Sequence, residues 1–160
     1  MARTVKRNPW LVGGPPLEPI KLLATDSKTW KAGEFGVFAA AGTVEPAATD
    51  AVKVNVQFLQ DQTSSTSTTS VWCARIRSDH IFEGFTSTDD ADVAATVAAV
   101  GNDYGIHVGS NYHSVNLGET SNVAVCVEDY AANYDNYRDT TSTSPGRVTF
   151  RFKASVLDAS

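Results

Sequence analysis

The sequence has 160 residues, enough for one domain with an appendage and for a hydrophobic core that needs neither disulfides nor a metal. Its net charge of −5 is divided unevenly: residues 1–31 carry six basic and two acidic side chains, whereas residues 32–160 carry seven basic and sixteen acidic ones. An acidic body repels nucleic acid, so we expect no nucleic-acid partner. No hydrophobic signal segment follows Met1, and no stretch approaches the ~20 apolar residues of a membrane helix, so we expect synthesis in a cytoplasm and no membrane partner.

Residues 1–29 predict an extended N-terminal arm, because four prolines remove backbone donors and hold the chain extended. The interspersed Trp and aliphatic side chains are too apolar for a free disordered tail, so the arm needs a surface to lie on. That surface is either its own domain or a partner chain, and we favour the partner. A chain lacking residues 1–23 is then expected to retain a folded body. The expected contact residues are basic or apolar: Arg3, Lys6, Arg7, Trp10, Leu11, Ile20, Leu22 and Leu23.

Residues 30–160 predict a body of short strands. Val52, Val54, Val56 and Phe58 alternate with Lys53, Asn55 and Gln57, which is typical of a strand with one buried face. Val71–Ile76, with Trp72, Ala74 and Ile76 on one face, forms a hairpin with this strand around a polar loop at 62–70. Further strands are predicted near Ile106–Val108, Ser114–Leu117, Val123–Val127 and Val148–Val156, the last after a second polar loop at 139–146.

One helix is predicted between the strands. Ser87 to Asp90 offers capping and acidic residues, an Ala-rich stretch follows at helical spacing, and Gly101 offers a stop. The fold class is therefore mainly β: a small β-barrel or β-tulip-like domain with one short α-helix and an extended N-terminal arm.

Catalytic motifs are absent from the sequence. No dinucleotide-binding glycine pattern, phosphate-binding loop or nucleophile elbow occurs. His107 and His113 with one Asp are conceivable as zinc ligands, and ordinary histidines are the alternative. Cys73 and Cys126 are expected to be reduced thiols, although a bridge between them is geometrically conceivable. We therefore expect a protein that is not an enzyme and has no cofactor or metal.

A tyrosine-rich segment at 129–138 forms a candidate outward loop through Tyr130, Tyr134 and Tyr137. Tyrosines among Asn and Asp residues suit a surface that binds sugar or protein. The alternative is a long connection that covers one end of the barrel, with its tyrosines partly in the core.

Several segments follow one another in a fixed order from about residue 28 to residue 156. They are the end of the arm at Trp30-Lys31-Ala32-Gly33-Glu34, a hydrophobic strand pair, Ile76 to Gly84, the Ala-rich helix, Val100 to Ile106 with its Gly-x-x-Tyr-Gly pattern, and the closing strand Gly146 to Phe152. This ordered set resembles the cement, or head decoration, proteins of tailed-bacteriophage capsids. The loop at 62–70 and the tyrosine-rich segment depart from it as insertions.

The resemblance implies a structural virion protein that binds the outer surface of the major capsid protein shell and stabilises the expanded head. It also implies a β-barrel body and a homotrimer. Ile81, Phe82 and Phe85 are candidates for the trimer interface, with completion of the barrel core as the alternative. A different function stays open, that of a carbohydrate- or receptor-binding β domain of a virion fibre or adhesin.

Overall fold

The computed structural model describes residues 8–39, 42–89, 91–109, 112–131 and 146–157. None of the helical turns in these ranges approaches the length needed to cross a membrane. The strands are β1 (Trp10–Gly13), β2 (Pro19–Leu23), β3 (Phe35–Phe38), β4 (Val44–Pro46), β5 (Val56–Phe58), β6 (Ser70–Arg75), β7 (Ile81–Thr88), β8 (Ala91–Asp92), β9 (Asp103–Val108), β10 (His113–Asn116), β11 (Val125–Ala131) and β12 (Arg147–Phe152). A 3-10 turn (Val97–Ala99) precedes β9, and the helix α1 (Ala154–Leu157) follows β12.

Five strands close into a barrel in the order β7, β10, β9, β11, β12 and back to β7. The β7–β10 pair is parallel and the other pairs are antiparallel, and β1 and β8 add to β7 outside the ring. Along β12, Val148, Phe150 and Phe152 are buried while the residues between them are half-buried, so the predicted alternation is confirmed. Closure removes the free edges that an open sheet would present.

A second, antiparallel sheet has the strand order β2, β6, β5, β3, β4. Its own core centres on Trp30 stacked on Phe58, with ring centroids 4.2 Å apart. A parallel bridge between Ala24 and Val44 curls the sheet around this core. The predicted hairpin is confirmed, because β5 and β6 pair antiparallel on either side of the polar loop.

The two sheets meet at Phe35. This ring belongs to β3 of the second sheet, yet it makes edge contacts with Phe82, Phe150 and Phe152 of the barrel at centroid distances of 5.4, 6.4 and 4.8 Å. Its backbone N–H donates to Nδ1 of the buried His113. Edge-to-face aromatic packing is directional, so this cluster fixes the orientation of the sheet against the barrel.

The mainly β fold class is confirmed, but the helix predicted after the capping residues Ser87 to Asp90 is wrong. Strand β7 continues to Thr88 and pairs antiparallel with β8, so Ser87 and Thr88 lie in a strand, and Asp89 follows at φ 52°. Only the 3-10 turn follows, with Ala99 buried. Strand pairing has overridden the local helix propensity, and the short α-helix lies instead at Ala154–Leu157.

The predicted arm is part of the body over its described residues. β1 pairs with β7 of the barrel, and β2 pairs with β6 of the second sheet. Leu11 packs against the barrel core, while Ile20 and Leu22 pack against the second core. The alternative in which the segment lies on its own domain therefore describes residues 8–24, and the segment ties the two sheets together.

Polar side chains anchor the start of this segment. Gln57 donates through Nε2 to the carbonyls of Pro9 (2.8 Å) and Gly33 (3.0 Å). The Asn8 amide donates to the Ala32 carbonyl, and its oxygen accepts the backbone N–H of His113 at 2.7 Å. The predicted alternation with only one buried face is wrong here, because Gln57 and Asn55 are also buried. Pro9 and Gly33 accept hydrogen bonds from Gln57, and Asn55 bonds to Phe38 and Leu157.

Truncation tests the structural role of this segment. A chain that begins at Asn8 is expected to unfold as cooperatively as the full chain, because it keeps every described anchor. A chain that begins at Thr25 is expected to lose the cooperative transition, because β1 and β2 and their apolar contacts are missing. Thermal unfolding followed by circular dichroism separates the two, and similar midpoints for both truncations would contradict the assignment.

Candidate protein-binding surface

The described residues hold no group of three or more His, Cys, Asp and Glu side chains placed to bind a metal ion. His107 and His113 thus form no such site with a carboxylate. Both cysteines are free thiols, with Cys73 inside the second core and Cys126 on the barrel. Burial raises the pKa of Cys73 to about 11, which keeps it protonated and unreactive near neutral pH.

His113 is a structural histidine. It is fully buried, its Nδ1 accepts the Phe35 N–H at 3.1 Å, and its Nε2 lies 3.6 Å from the Glu34 carboxylate, too far for a hydrogen bond. Burial, with a smaller contribution from His107, lowers the pKa of His113 to about 3. The ring is therefore neutral, and it joins β10 of the barrel to β3 of the second sheet.

Acid sensitivity follows from this burial. Because the folded-state pKa of His113 is about 3 and the unfolded value is about 6.5, only the unfolded chain binds the proton between them, so stability falls as pH falls from about 6.5 to 3. Within this window the residue contributes a slope of roughly 1.4 kcal/mol per pH unit. His113→Asn keeps an acceptor for Phe35 and should flatten the pH dependence of urea unfolding. An unchanged slope would contradict the assignment.

One face of the second sheet is only partly covered. The face of β6 that is fully buried at Ala74 carries, two residues earlier, the Trp72 side chain with 45% of its surface exposed. Leu23 of β2 (46%) and Leu59 after β5 (37%) are exposed on the same face, which the strand registers place beside Trp72. The face that meets the barrel through Phe35 is thus partly exposed to solvent at Trp72.

Local contacts hold these exposed side chains in place. Lys21 lies opposite Trp72 in the β2–β6 register, and its Nζ is 5.7 Å from the centroid of the Trp72 ring. The Leu59 N–H donates to the Trp72 carbonyl at 3.0 Å, and the Trp72 N–H donates to Oε1 of Gln60 at 3.0 Å. We call Lys21, Leu23, Leu59 and Trp72 the overhang surface. A preorganised Trp with a cation over its ring suits protein recognition.

The described chain begins next to this surface. Asn8 is bonded to Ala32, whose backbone N–H donates to Asp61, two residues beyond Leu59. Pro9 is bonded to Gln57, which shares a strand face with Leu59 at a separation of roughly 7 Å. Arg3, Lys6 and Arg7 lie outside the described residues, but the chain that carries them joins the body here.

The residues predicted to contact a partner lie in different parts of the structure. Leu23 belongs to the overhang surface, whereas Leu11, Ile20 and Leu22 pack against the chain's own cores. Trp10 is half-buried opposite Glu83. Their period-two alternation and the strand registers place these residues in the two sheets.

The predicted trimer contacts are also placed inside the chain. Phe82 and Phe85 have no exposed surface: Phe82 packs in the barrel core, and Phe85 meets the Tyr112 ring edge-on at 6.3 Å. Ile81 is half-buried where β7 pairs with β1. The alternative in which the phenylalanines complete the interior is therefore the observed one, and they offer no face to another copy.

Of the three predicted loop tyrosines, Tyr130 is described and is 38% exposed on β11. It borders a shallow groove of about 120 Å³ that also contains the Arg147–Glu83 ion pair, at 2.7 Å. Tyr134, Tyr137 and residues 139–145 of the second polar loop lie outside the described residues.

The sequence pattern did not identify three of the surface residues, Trp72, Lys21 and Leu59. The alternation along Val71–Ile76 places Trp72 with Ala74 and Ile76 on one face, and both of those neighbours are buried. The alternation shows correctly which side chains share a face, but it does not show which of them are exposed to solvent. The polar loop at 62–70, directly before β6, was the available signal that this end of the hairpin reaches solvent.

No protein-family model, curated protein or solved structure matches this chain.

Proposed function

We propose that this chain is a capsid cement protein that binds the outer surface of a tailed-bacteriophage head and stabilises the expanded shell. The partner is the major capsid protein, and the overhang surface is the docking site. The ordered resemblance between residues 28 and 156, apart from the Ala-rich segment that forms no α-helix, supports the class of protein. The exposed Trp72, beside the exposed Leu23 and Leu59 on one face of the second sheet, is the observation that carries the docking site.

Binding energy at such a surface concentrates in a few side chains. Trp is enriched among the residues that dominate interfaces, and aliphatic neighbours exclude water around it. Leu23 and Leu59 supply those neighbours, and Lys21 supplies positive charge at the rim. The basic residues Arg3, Lys6 and Arg7 add positive charge to a chain that joins the body nearby, so the surface suits an acidic patch on the capsid protein.

Attachment as a homotrimer is part of the proposal. Three linked copies convert separate weak contacts into one multivalent attachment, which resists dissociation from a shell under internal pressure. The burial of Phe82 and Phe85 removes them as the contacts between copies, so the trimer forms through other surfaces or through the capsid lattice itself.

Substitution of Trp72 tests the docking site. Trp72→Ala is expected to weaken co-sedimentation with expanded shells of the major capsid protein about 30-fold, the effect of losing an interface hot spot of roughly 2 kcal/mol. The thermal midpoint should stay close to that of the parent, because nearly half of the ring is already in water. Quantitative co-sedimentation over a range of protein concentrations measures the effect.

Tyr130→Ala is the matched control, since it removes an exposed aromatic ring from the barrel instead of the overhang. It should bind shells like the parent. Full shell binding by Trp72→Ala would contradict the docking site, and no shell binding by the parent would contradict the proposed function. Glycan binding that disappears in Tyr130→Ala would favour the carbohydrate-binding alternative.

A further inference from the structure

A pocket of about 310 Å³ lies where the chain crosses twice between the barrel and the second sheet. One wall is the connection from β1 to β2, and the other is the connection from β6 to β7. At Gly14, φ is +83°, and a Cβ atom there would lie 2.0 Å from the Asp79 carbonyl oxygen, so the two connections pass in direct contact. The pocket is lined by Pro16, Glu18, Ile20, Arg75, Arg77 and His80.

Arg75 is the unusual group in this pocket. The other described arginines each meet a carboxylate: Arg77 meets Asp79 at 3.4 Å, Arg147 meets Glu83 and Arg151 meets Glu128. Among the described residues Arg75 has no carboxylate within ion-pair distance, and its guanidinium lies 5.3 Å from the centroid of the Phe38 ring. This contact with the Phe38 ring does not use the N–H donors of the guanidinium.

His80 also lines the pocket. It is 1% exposed, and its Nδ1 accepts the Arg77 backbone N–H at 3.0 Å, so the neutral ring carries its proton on Nε2. Burial lowers the pKa of His80, opposed first by the Asp79 carboxylate and then by the Pro16 main chain, and the neutral form prevails near pH 7. Because Nε2 is buried, His80 shapes the pocket wall and is not itself a donor to a ligand.

We propose that this pocket binds a carboxylate group, supplied by an acidic side chain or by the C-terminus of a polypeptide. Arg75 and Arg77 supply N–H donors to the pocket, and the guanidinium fork matches the two oxygens of a carboxylate. Pro16 and Ile20 form an apolar base for the carbon atoms next to that group.

Charge and size set the class of ligand. Glu18 in the same pocket and Asp79, which pairs with Arg77, together balance the two arginine charges, so a phosphate dianion is disfavoured relative to a singly charged carboxylate. The volume lies at the lower end of the range for ligand sites, roughly 300–1,000 Å³, and suits one side chain or chain terminus. This site is separate from the overhang surface and does not depend on capsid binding.

Titration of the full chain with small carboxylates tests the proposal. The probes are N-acetylglycine and its amide, for a chain terminus, N-acetylglutamate α-amide, for a side chain, and inorganic phosphate. Two-dimensional NMR is expected to show saturable shifts of the Arg75, Arg77 and His80 signals with at least one carboxylate, and none with the amide. The response to each of the two carboxylates identifies which source fits the pocket.

Arg75→Gln should weaken that binding at least about tenfold, the effect of losing one charge-assisted hydrogen bond. Arg151→Gln, which removes a paired arginine from the barrel surface, is the control and should bind like the parent. Equal affinities for Arg75→Gln and the parent, an equal response to the amide, or binding of phosphate in place of both carboxylates would each overturn the proposal. Unchanged thermal midpoints exclude loss of folding as the cause.

Discussion

The packing of Phe35 between the barrel and the second sheet is the contact on which the rest of the structure depends. Its ring meets three barrel phenylalanines edge-on, and its N–H is bonded to the buried ring nitrogen of His113. This one residue thus combines aromatic packing with a buried polar contact between the sheets. Because an unpaired polar group in that position would be costly, the aromatic cluster and the hydrogen bond specify the same arrangement.

The N-terminal segment also contacts both the barrel and the second sheet. Asn8 and Pro9 lie between Gly33 and the barrel, where the positive φ of Gly33 (+90°) and its missing side chain leave room for them. β1 then joins the barrel and β2 joins the second sheet. A segment that looks like an appendage therefore links the barrel to the second sheet, and among its described residues Lys21 and Leu23 belong to the overhang surface.

The two proposed sites arise from the way one sheet is placed against the barrel. The overhang surface lies on the face of the second sheet that carries Phe35, where Trp72 is partly exposed two residues from the buried Ala74. The proposed carboxylate pocket lies where both crossing connections leave the sheets at the same end, next to Arg75, the last residue of β6. Neither site requires a mobile element.

Near neighbours along the chain are enough to predict the mainly β class, the β5–β6 hairpin and the buried face of β12, where Val148, Phe150 and Phe152 alternate with polar residues. The conformation of the Ala-rich segment, the burial of Gln57 and the exposure of Trp72 depend instead on tertiary contacts. Period-two alternation states which side chains share a face, but whether that face meets water depends on residues far away in the chain. Pro9, 48 positions away in the sequence, covers Gln57. Contacts with Lys21 and the neighbouring strands leave 45% of Trp72 exposed. Pairing of β7 with β8 replaced the expected helix.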